Sequence, residues 1–221
     1  MPFVSRTPET PTDSPSPESL AEALVARVRS APRRARRRLV ALAGPPASGK
    51  STLAGAMVHA LGRAGEPAAL VPMDGFHLDN RILEPAGLLA RKGAPETFDL
   101  GGLARLVAAL GTEDEVFYPL FDRARDIAIA GAGRVGPECA TVVIEGNYLL
   151  FDAPGWRELA RAWDLSVRLE VSEAELERRL VARWLGHGLD PDAARARARG
   201  NDLANAERIR RAALPADITL G

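Results

Sequence analysis

One short segment constrains the fold more than any other, the sequence Gly-Pro-Pro-Ala-Ser-Gly-Lys-Ser at residues 44–51. It fits the pattern G-x-x-x-x-G-K-[ST] at every fixed position. An apolar run at residues 39–43 precedes it, and a helical pattern begins at Ser51. Strand, glycine loop and helix in this order predict a phosphate-binding loop, because backbone N–H groups can turn inward around a phosphate at the positive end of the helix. A turn that merely joins strand to helix would not require Lys50 and Ser51.

Apolar runs of strand length alternate with helical patterns along the rest of the chain. Further strand patterns lie at residues 68–73, 141–144, 165–171 and 216–220. Helical patterns lie between most of them, at residues 103–110, 156–163 and 173–185. Ser172 and Glu175 form a capping box at the start of the last one. Because such alternation implies a parallel sheet covered on both faces, we predict an α/β fold of the P-loop NTPase type. This fold is a three-layer α/β/α sandwich with a mostly parallel central sheet and a helical lid.

The N-terminal residues differ in composition from the rest. Residues 1–17 are rich in Pro, Ser and Thr and poor in large apolar side chains, which predicts a disordered tail. A helical pattern over residues 17–30 follows, with Glu18 or Ser19 near its start. Residues 18–221 are long enough to bury one sizeable core, so we predict a single domain there.

Charge and cysteine content exclude several function classes. The 29 basic and 29 acidic residues give no net charge that would draw the chain to nucleic acid or to an anionic membrane. A single cysteine, Cys139, excludes intrachain disulfides and thiolate zinc clusters. Apolar runs also fall short of a membrane span. We therefore expect a soluble, cytoplasmic protein that binds neither nucleic acid nor membrane.

The fixed cations are almost all arginine, since Lys50 and Lys92 are the only lysines. This favours a specific need for the compact ammonium group at position 50. Arginines also crowd residues 33–38, where two interpretations stay open. The cluster is either a solvated lead-in to the first strand or a nucleic-acid arm whose binding would fall steeply with salt.

Two acidic residues lie at the ends of strand patterns. In parallel sheets, the carboxyl ends of the strands form the edge at which ligands bind. Asp74 ends the second strand pattern and precedes Gly75, for which we expect an unusual backbone angle. Its carboxylate could take a proton from an attacking hydroxyl, or it could cap a turn or bind water around magnesium. Glu145 ends the third pattern, where it could hold magnesium directly or through water, or be buried against an arginine.

An arginine-rich segment follows the fourth strand pattern. Arg179 and Arg183 lie four apart on one helical face, and one of them could neutralise charge on a phosphoryl group in transfer. A solvated helix face is the alternative for each. Glycines bracket the segment, so we predict a mobile lid at about residues 178–200.

Four segments together resemble the P-loop kinases grouped as uridine kinase, phosphoribulokinase and bacterial pantothenate kinase: GPPASGKST, MDGFH, YPLFDR and EGNYLL. The resemblance extends from about residue 38 to 218. MDGFHLDNRIL followed by RKGAPETFD looks most like the bacterial branch labelled nucleoside/nucleotide kinase-like or fructose-transport-system kinase. The YPLFDR segment lacks the histidine that nucleoside and pantothenate kinases of the group commonly carry near it. The resemblance therefore predicts the fold and the phosphate donor, but not the acceptor.

The resemblance implies ATP and Mg²⁺ as cofactors and a role for each matching residue. The residues implied in ATP binding are Gly44, Ala47, Ser48, Gly49, Lys50, Ser51, Thr52 and Asn205. Asn205 lies with Asn201 in a segment that can approach the adenine. Implied in magnesium binding are Ser51 and Glu145. Implied in catalysis are Lys50, Asp74 as the base, Arg179 and Arg183. Implied in acceptor binding are Asp74, His77, Arg91, Tyr118, Asp122 and Arg123.

The hypothesis that joins these observations is an ATP-dependent phosphotransferase. It would phosphorylate a hydroxyl of a small metabolite of sugar or nucleoside type and act as a monomer or homodimer. The alternative is a nucleotide-binding accessory ATPase that gates a partner protein. A GTPase switch would require a guanine-reading Asn-Lys-x-Asp segment, which the sequence lacks.

Overall fold

The computed structural model describes residues 15–221. The disordered tail predicted for residues 1–17 lies almost wholly outside this range. The first helix begins at Pro17, and the Ser16 hydroxyl caps it by accepting a hydrogen bond from the Ser19 N–H at 3.2 Å. The cap thus lies upstream of the residues that the sequence pattern placed at the helix start.

Helices and strands alternate through the described residues much as the sequence predicts. The α-helices are α1 (Pro17–Ser30), α2 (Lys50–Arg63), α3 (Asn80–Leu83), α4 (Leu100–Thr112), α5 (Glu173–Gly186), α6 (Pro191–Arg197) and α7 (Leu203–Arg211). The strands are β1 (Arg38–Ala43), β2 (Ala68–Pro72), β3 (Val116–Asp122), β4 (Ile127–Val135), β5 (Thr141–Gly146), β6 (Leu165–Leu169) and β7 (Ile218–Leu220). Within these residues, no helix combines the length and the apolar character needed to cross a membrane.

Five strands form one parallel sheet in the order β2-β5-β1-β6-β7. The central strand β1 pairs with β5, Leu39 opposite Val142, and with β6, Val40 opposite Leu165. All five strands run in the same direction, so their carboxyl ends meet at one edge. This edge carries the ends of β1, β2 and β5, where the sequence placed the glycine loop and the two carboxylates.

Strand β1 shows why the sheet has a helical layer on each face. Leu39 and Ala41 belong to a core that includes buried residues of α4, whereas Val40 and Leu42 belong to a second core with α1 and α2. Successive side chains of a strand point to opposite faces, so an unbroken apolar run supplies both cores. The predicted three-layer α/β/α fold with a mostly parallel sheet is confirmed.

The antiparallel hairpin of β3 and β4 was not predicted. It forms a separate two-stranded sheet, and its register shifts between Tyr118 and Leu120. Pro119 lies at the shift, and because proline has no N–H to donate, it interrupts the ladder. The same proline weakens the strand pattern in the sequence, which explains why the hairpin was missed.

Two smaller predictions differ from the structure. The helix predicted at residues 156–163 is a 3₁₀ segment over Arg157–Ala162, and the last strand begins at Ile218. Neither interpretation of residues 33–38, a solvated lead-in or a nucleic-acid arm, fits Arg37, which is fully buried. Its guanidinium donates to the carbonyl oxygens of Leu110, Glu113, Asp114 and Gly136. This cation therefore lies against the carboxyl end of α4, where positive charge is favourable.

Candidate active site

The loop between β1 and α2 has the backbone that a phosphate cradle requires. Ala47 and Gly49 adopt left-handed φ values of 62° and 93°. Gly49 is the N-cap of α2 and has no side chain that could accept a hydrogen bond from the helix. The first N–H groups of α2 can therefore donate to a ligand. A Cβ at Gly44 would approach the Ser48 hydroxyl to 2.8 Å. That hydroxyl is buried and has no hydrogen-bond partner among the described residues.

The first two residues of α2 join this loop to strand β5. The Ser51 hydroxyl donates to Glu145 Oε1 at 2.9 Å. Glu145 is only 5% exposed, so burial raises its pKa, and the Lys50 ammonium opposes that rise. Burial in turn lowers the pKa of Lys50, while the carboxylates of Glu145 and then Asp74 oppose this effect. A hydroxyl, a carboxylate and an ammonium therefore lie together beside the loop.

Asp74 lies at the same edge because β2 and β5 are neighbours in the sheet. It belongs to a 3₁₀ turn, Met73–Phe76, which follows directly after β2. The structure corrects the expectation for Gly75, whose φ is not in the left-handed range. A Cβ at this position would instead overlap the carbonyl oxygen of Pro119. Glycine is therefore needed so that strand β3 can pack against the turn that carries Asp74.

The Asp74 carboxylate forms an ion pair with the guanidinium of Arg123, which follows β3. The Asp74 side chain is 18% exposed and that of Arg123 is 61% exposed. Asp74 thus touches solvent at the mouth of the site. The structure thus brings together the side chains of two sequence-predicted acceptor residues, Asp74 and Arg123.

His77 lies behind Asp74 in an aromatic environment. Its ring lies 4.1 Å from the Phe98 ring and 4.6 Å from the Phe121 ring, measured between centroids. Its Nδ1 lies 2.7 Å from the Asp74 carbonyl oxygen, which can only accept, so Nδ1 carries the proton. Burial lowers the pKa of His77, and the charge of Asp74 opposes this. Burial therefore favours the neutral imidazole, and its Nδ1 contact holds the backbone of Asp74.

Three other predicted acceptor residues use their polar groups elsewhere. Tyr118 is buried, and its hydroxyl donates to the Leu70 carbonyl at 2.8 Å. Arg91 forms an ion pair with Glu96. Asp122 accepts hydrogen bonds from the Arg125 N–H at 3.0 Å and from Arg125 Nε at 2.7 Å, which closes the turn between β3 and β4.

Lys92 has a position that the sequence did not reveal. Its ammonium contacts Asp126 Oδ1 at 2.9 Å and donates to the Asp126 carbonyl at 3.0 Å and to Asn80 Oδ1 at 2.7 Å. It also lies 5.1 Å from the centre of the Phe121 ring. The one sequence feature that could have drawn attention to Lys92 is that the chain has only two lysines. Lys92 ties the turn of the hairpin to the loop between α3 and α4.

The two lid arginines on α5 face the loop differently. The Ser172 hydroxyl caps this helix as predicted. Arg179 is held by Glu175 at 2.7 Å and lies 3.3 Å from the Ala47 carbonyl and 3.2 Å from the Ser48 carbonyl. For Arg183, partial burial lowers the pKa most, and the positive charge of Arg123 lowers it further.

The predicted adenine-side asparagines are both buried, Asn201 between α6 and α7 and Asn205 in α7. The Asn201 amide donates to the Lys92 carbonyl at 2.9 Å, and the Asn205 amide donates to Asn201 Oδ1 at 3.2 Å. These bonds fasten the start of α7 to the loop that carries Lys92. The ATP contact implied for Asn205 stays a prediction.

A cavity of about 1160 Å³ opens beside the glycine loop, between the end of β6 and helix α7. Gly44 and Pro45 line one side, and Leu169 and Ile209 line others. Asn147 also lines it, with an Oδ1 atom that is buried and has no partner among the described residues. Mostly apolar walls with a few polar groups are typical of small-molecule sites.

Comparison with known proteins agrees with this geometry. The profile of the phosphoribulokinase / uridine kinase family matches residues 39–195. The chain belongs to the phosphoribulokinase / uridine kinase family. Membership in this family supports a small-molecule kinase that uses a nucleotide, and it confirms the family assigned from the sequence.

Three known proteins are similar to this chain over most of its length. A crystal structure from Silicibacter sp. TM1040, of a protein provisionally named a fructose transport system kinase, is 62% identical with a TM-score of 0.88 and covers 94% of this chain and 100% of that one. The uncharacterized protein YggC of Escherichia coli K12 is 35% identical over 79% of this chain and 73% of its own. A provisionally named uridine kinase of Schizosaccharomyces pombe is 32% identical over 82% of each chain.

Proposed function

We propose that this chain transfers the γ-phosphoryl group of ATP to a hydroxyl group of a small metabolite of sugar or nucleoside type. One observation carries the proposal. Lys50 and Ser51 begin α2 directly after the glycine loop, the Ser51 hydroxyl donates to Glu145 Oε1 at 2.9 Å, and Asp74 follows β2, the neighbour of β5. A phosphate-binding cation, a carboxylate suited to a metal and a second carboxylate at the mouth of the site thus share one edge of the sheet.

The residues present fit ATP and Mg²⁺. The uncapped first turn of α2, the left-handed Ala47 and Gly49 and the unpartnered Ser48 hydroxyl supply donors for phosphate oxygens. Ser51 and Glu145 are the residues that would hold Mg²⁺, directly or through water. When bound, Mg²⁺ neutralises charge on the phosphate oxygens. The cavity beside Gly44 has room for the nucleoside part of ATP.

Asp74 is the residue that would move the proton. Its carboxylate accepts the proton of the acceptor hydroxyl while that oxygen forms a bond to the γ-phosphorus. The bond from the γ-phosphorus to the β–γ bridging oxygen breaks, and its electron pair leaves with ADP. Lys50, Arg179 and Arg183 supply the positive charge that stabilises the transferring group. Catalysis is then mainly positioning and electrostatics.

The experiment that tests this proposal measures ADP release by the full chain with Mg-ATP and a panel of hydroxyl compounds. The panel holds fructose, uridine, adenosine, nicotinamide riboside and pantothenate. We expect at least one compound to stimulate release, and Asp74→Asn to lower that rate by on the order of 100- to 10,000-fold while ATP binding is retained. The control is Asp114→Asn, an exposed aspartate paired with Arg36 away from the loop.

Two results would oppose the proposal. Full transfer by Asp74→Asn would remove the assignment of Asp74 as the base. Slow hydrolysis that no acceptor stimulates, and that Asp74→Asn leaves intact, would favour the accessory ATPase instead.

A further inference from the structure

The ion pair between Asp74 and Arg123 constrains the chemistry of the acceptor. We infer that the acceptor carries an anionic group of its own, a carboxylate or a phosphate, which Arg123 binds next to the hydroxyl that is phosphorylated. This inference deepens the proposed function and rests on it. It starts from the observation that the proposed base is already engaged by a cation.

The Arg123 guanidinium occupies the Asp74 carboxylate, which is the group that the acceptor hydroxyl has to reach. For Asp74 to act as a base, Arg123 needs another partner during the reaction. An ion pair with an exposed arginine is weak and exchanges readily, and the Arg123 side chain is 61% exposed. An anionic group on the acceptor would take Arg123 and release the carboxylate in one event.

The turn that presents Arg123 is held in place from behind. Asp126, the last residue of this turn, has a left-handed φ of 56°, which is unusual for a residue other than glycine. Its carboxylate is fixed by Lys92 at 2.9 Å and by the Asn80 amide at 2.7 Å. Backbone strain of this kind persists only where the surrounding contacts enforce it, and such places cluster at ligand sites. The arginine is therefore presented by a preorganised turn rather than by a loose loop.

Three of the neighbouring cations have other partners, and the proposed function assigns two more, Lys50 and Arg183, to the transferring phosphoryl group. Lys92 is bound to Asp126, Arg91 to Glu96, and Arg179 to Glu175 and the glycine loop. Within residues 15–221, the one carboxylate that pairs with Arg123 is Asp74. His77 packs against two aromatic rings, and its Nδ1 is engaged by the Asp74 carbonyl oxygen. Arg123 is thus the cation suited to an acceptor anion.

The direct contact between the two side chains also limits where the anion lies in the acceptor. The reacting hydroxyl binds at the Asp74 carboxylate and the anion binds at the guanidinium that touches it. The two groups must therefore be separated by a short carbon chain, as in hydroxy acids and small sugar phosphates. A long acceptor with a remote carboxylate, such as pantothenate, does not meet this condition.

The test compares matched compounds that differ in the anionic group: glycerate with glycerol, and fructose 1-phosphate and fructose 6-phosphate with fructose. The glycerate arm and the sugar phosphate arm distinguish a carboxylate from a phosphate. Turnover with Mg-ATP is measured for the full chain, for Arg123→Gln and for Arg134→Gln. The last variant is the control, because Arg134 lies on the same hairpin and pairs with Glu115 in an equally exposed position.

We expect kcat/KM for one charged compound to exceed that of its neutral counterpart. Arg123→Gln should raise the KM for the charged compound by on the order of 10- to 100-fold, as for loss of a charge-assisted hydrogen bond. The KM for ATP should change less than about threefold, because Arg123 contacts the acceptor side of the site. Arg134→Gln should behave like the unaltered chain.

A calorimetric measurement makes the result independent of turnover. Inorganic phosphate and glycerate are titrated into the full chain with Mg²⁺ and a non-hydrolysable ATP analogue. Binding that Arg123→Gln removes supports the inference even if no compound is phosphorylated, in which case the proposed kinase activity fails alone. Preference for neutral compounds, a raised KM for ATP in Arg123→Gln, or no Arg123-dependent anion binding would each overturn the inference, and the first would leave the kinase proposal standing.

Discussion

The two halves of the candidate site are built in different ways. The donor side consists of residues 44–51 with Glu145, and its binding groups are mainly backbone N–H groups of one continuous segment. The acceptor side consists of Asp74, His77 and the turn at residues 122–126, which come from segments far apart in the chain. Its groups are side chains held by tertiary contacts.

This difference would allow the acceptor to vary while the phosphate site stays the same. Two similar proteins carry different provisional names, uridine kinase for one and fructose transport system kinase for the other. A backbone cradle accepts the same phosphates whatever the acceptor is. Side chains brought together by the fold can change without disturbing that cradle, so one fold supports many acceptors.

The largest expected effect is on the donor side. Lys50→Ala should lower ADP release by on the order of 100- to 1000-fold and weaken ATP binding, because the proposed role of the ammonium is to stabilise charge on phosphate oxygens in the transition state. Calorimetry with ATP and a coupled assay for ADP measure the two effects.

The matched variant is Lys92→Ala, which changes the only other lysine of the chain. Lys92 braces the acceptor side, so ATP binding should be retained while transfer to the acceptor falls. Equal loss of ATP binding in both variants would mean that the two halves of the site are not separable.

A second donor-side effect concerns the metal. Glu145→Gln should raise the Mg²⁺ concentration needed for half-maximal activity by on the order of 10- to 100-fold. Glu115→Gln, at an exposed glutamate on the hairpin, is the control. An unchanged Mg²⁺ requirement in Glu145→Gln would place the metal elsewhere.

Packing on the acceptor side gives a smaller effect. Gly75→Ala forces a Cβ against the Pro119 carbonyl oxygen, so the free energy of unfolding should fall by about 1–3 kcal/mol. Gly62→Ala is the control, since a Cβ there meets no atom within 4 Å, and it should stabilise α2 by at most about 1 kcal/mol. Chemical denaturation measures both, and equal stability of the two variants would contradict the tight approach of β3.

The smallest effect is a dependence of stability on pH. Because the fold lowers the pKa of His77, the unfolded chain binds its proton more tightly, at about 6.5. Below that pH, the free energy of unfolding should therefore decrease as the pH falls through the lowered folded value. His77→Asn keeps a donor for the Asp74 carbonyl and should show a flatter slope between pH 7 and 5. Identical slopes would remove His77 as the cause.

Most of the fold could be predicted because short sequence segments, such as apolar runs and helix caps, indicate the individual strands and helices. The run before Gly44 is apolar at successive positions and supplies both faces of the sheet, which one segment of sequence can report. Ser172 likewise indicates the start of α5, because it caps the helix through residues close to it in the sequence. The hairpin could not be read, because Pro119 breaks its pattern and its pairing joins residues across a turn.

The sequence by itself determined the donor side, since a phosphate cradle needs only the backbone angles and the lysine of one contiguous loop. Only the tertiary structure decided the acceptor side. It turned the Tyr118 hydroxyl into the core, placed Arg123 on Asp74 and bound Lys92 to Asp126. These contacts form between residues that are far apart in the sequence and become neighbours only when the chain folds. The residues around each of them in the sequence do not indicate its partner.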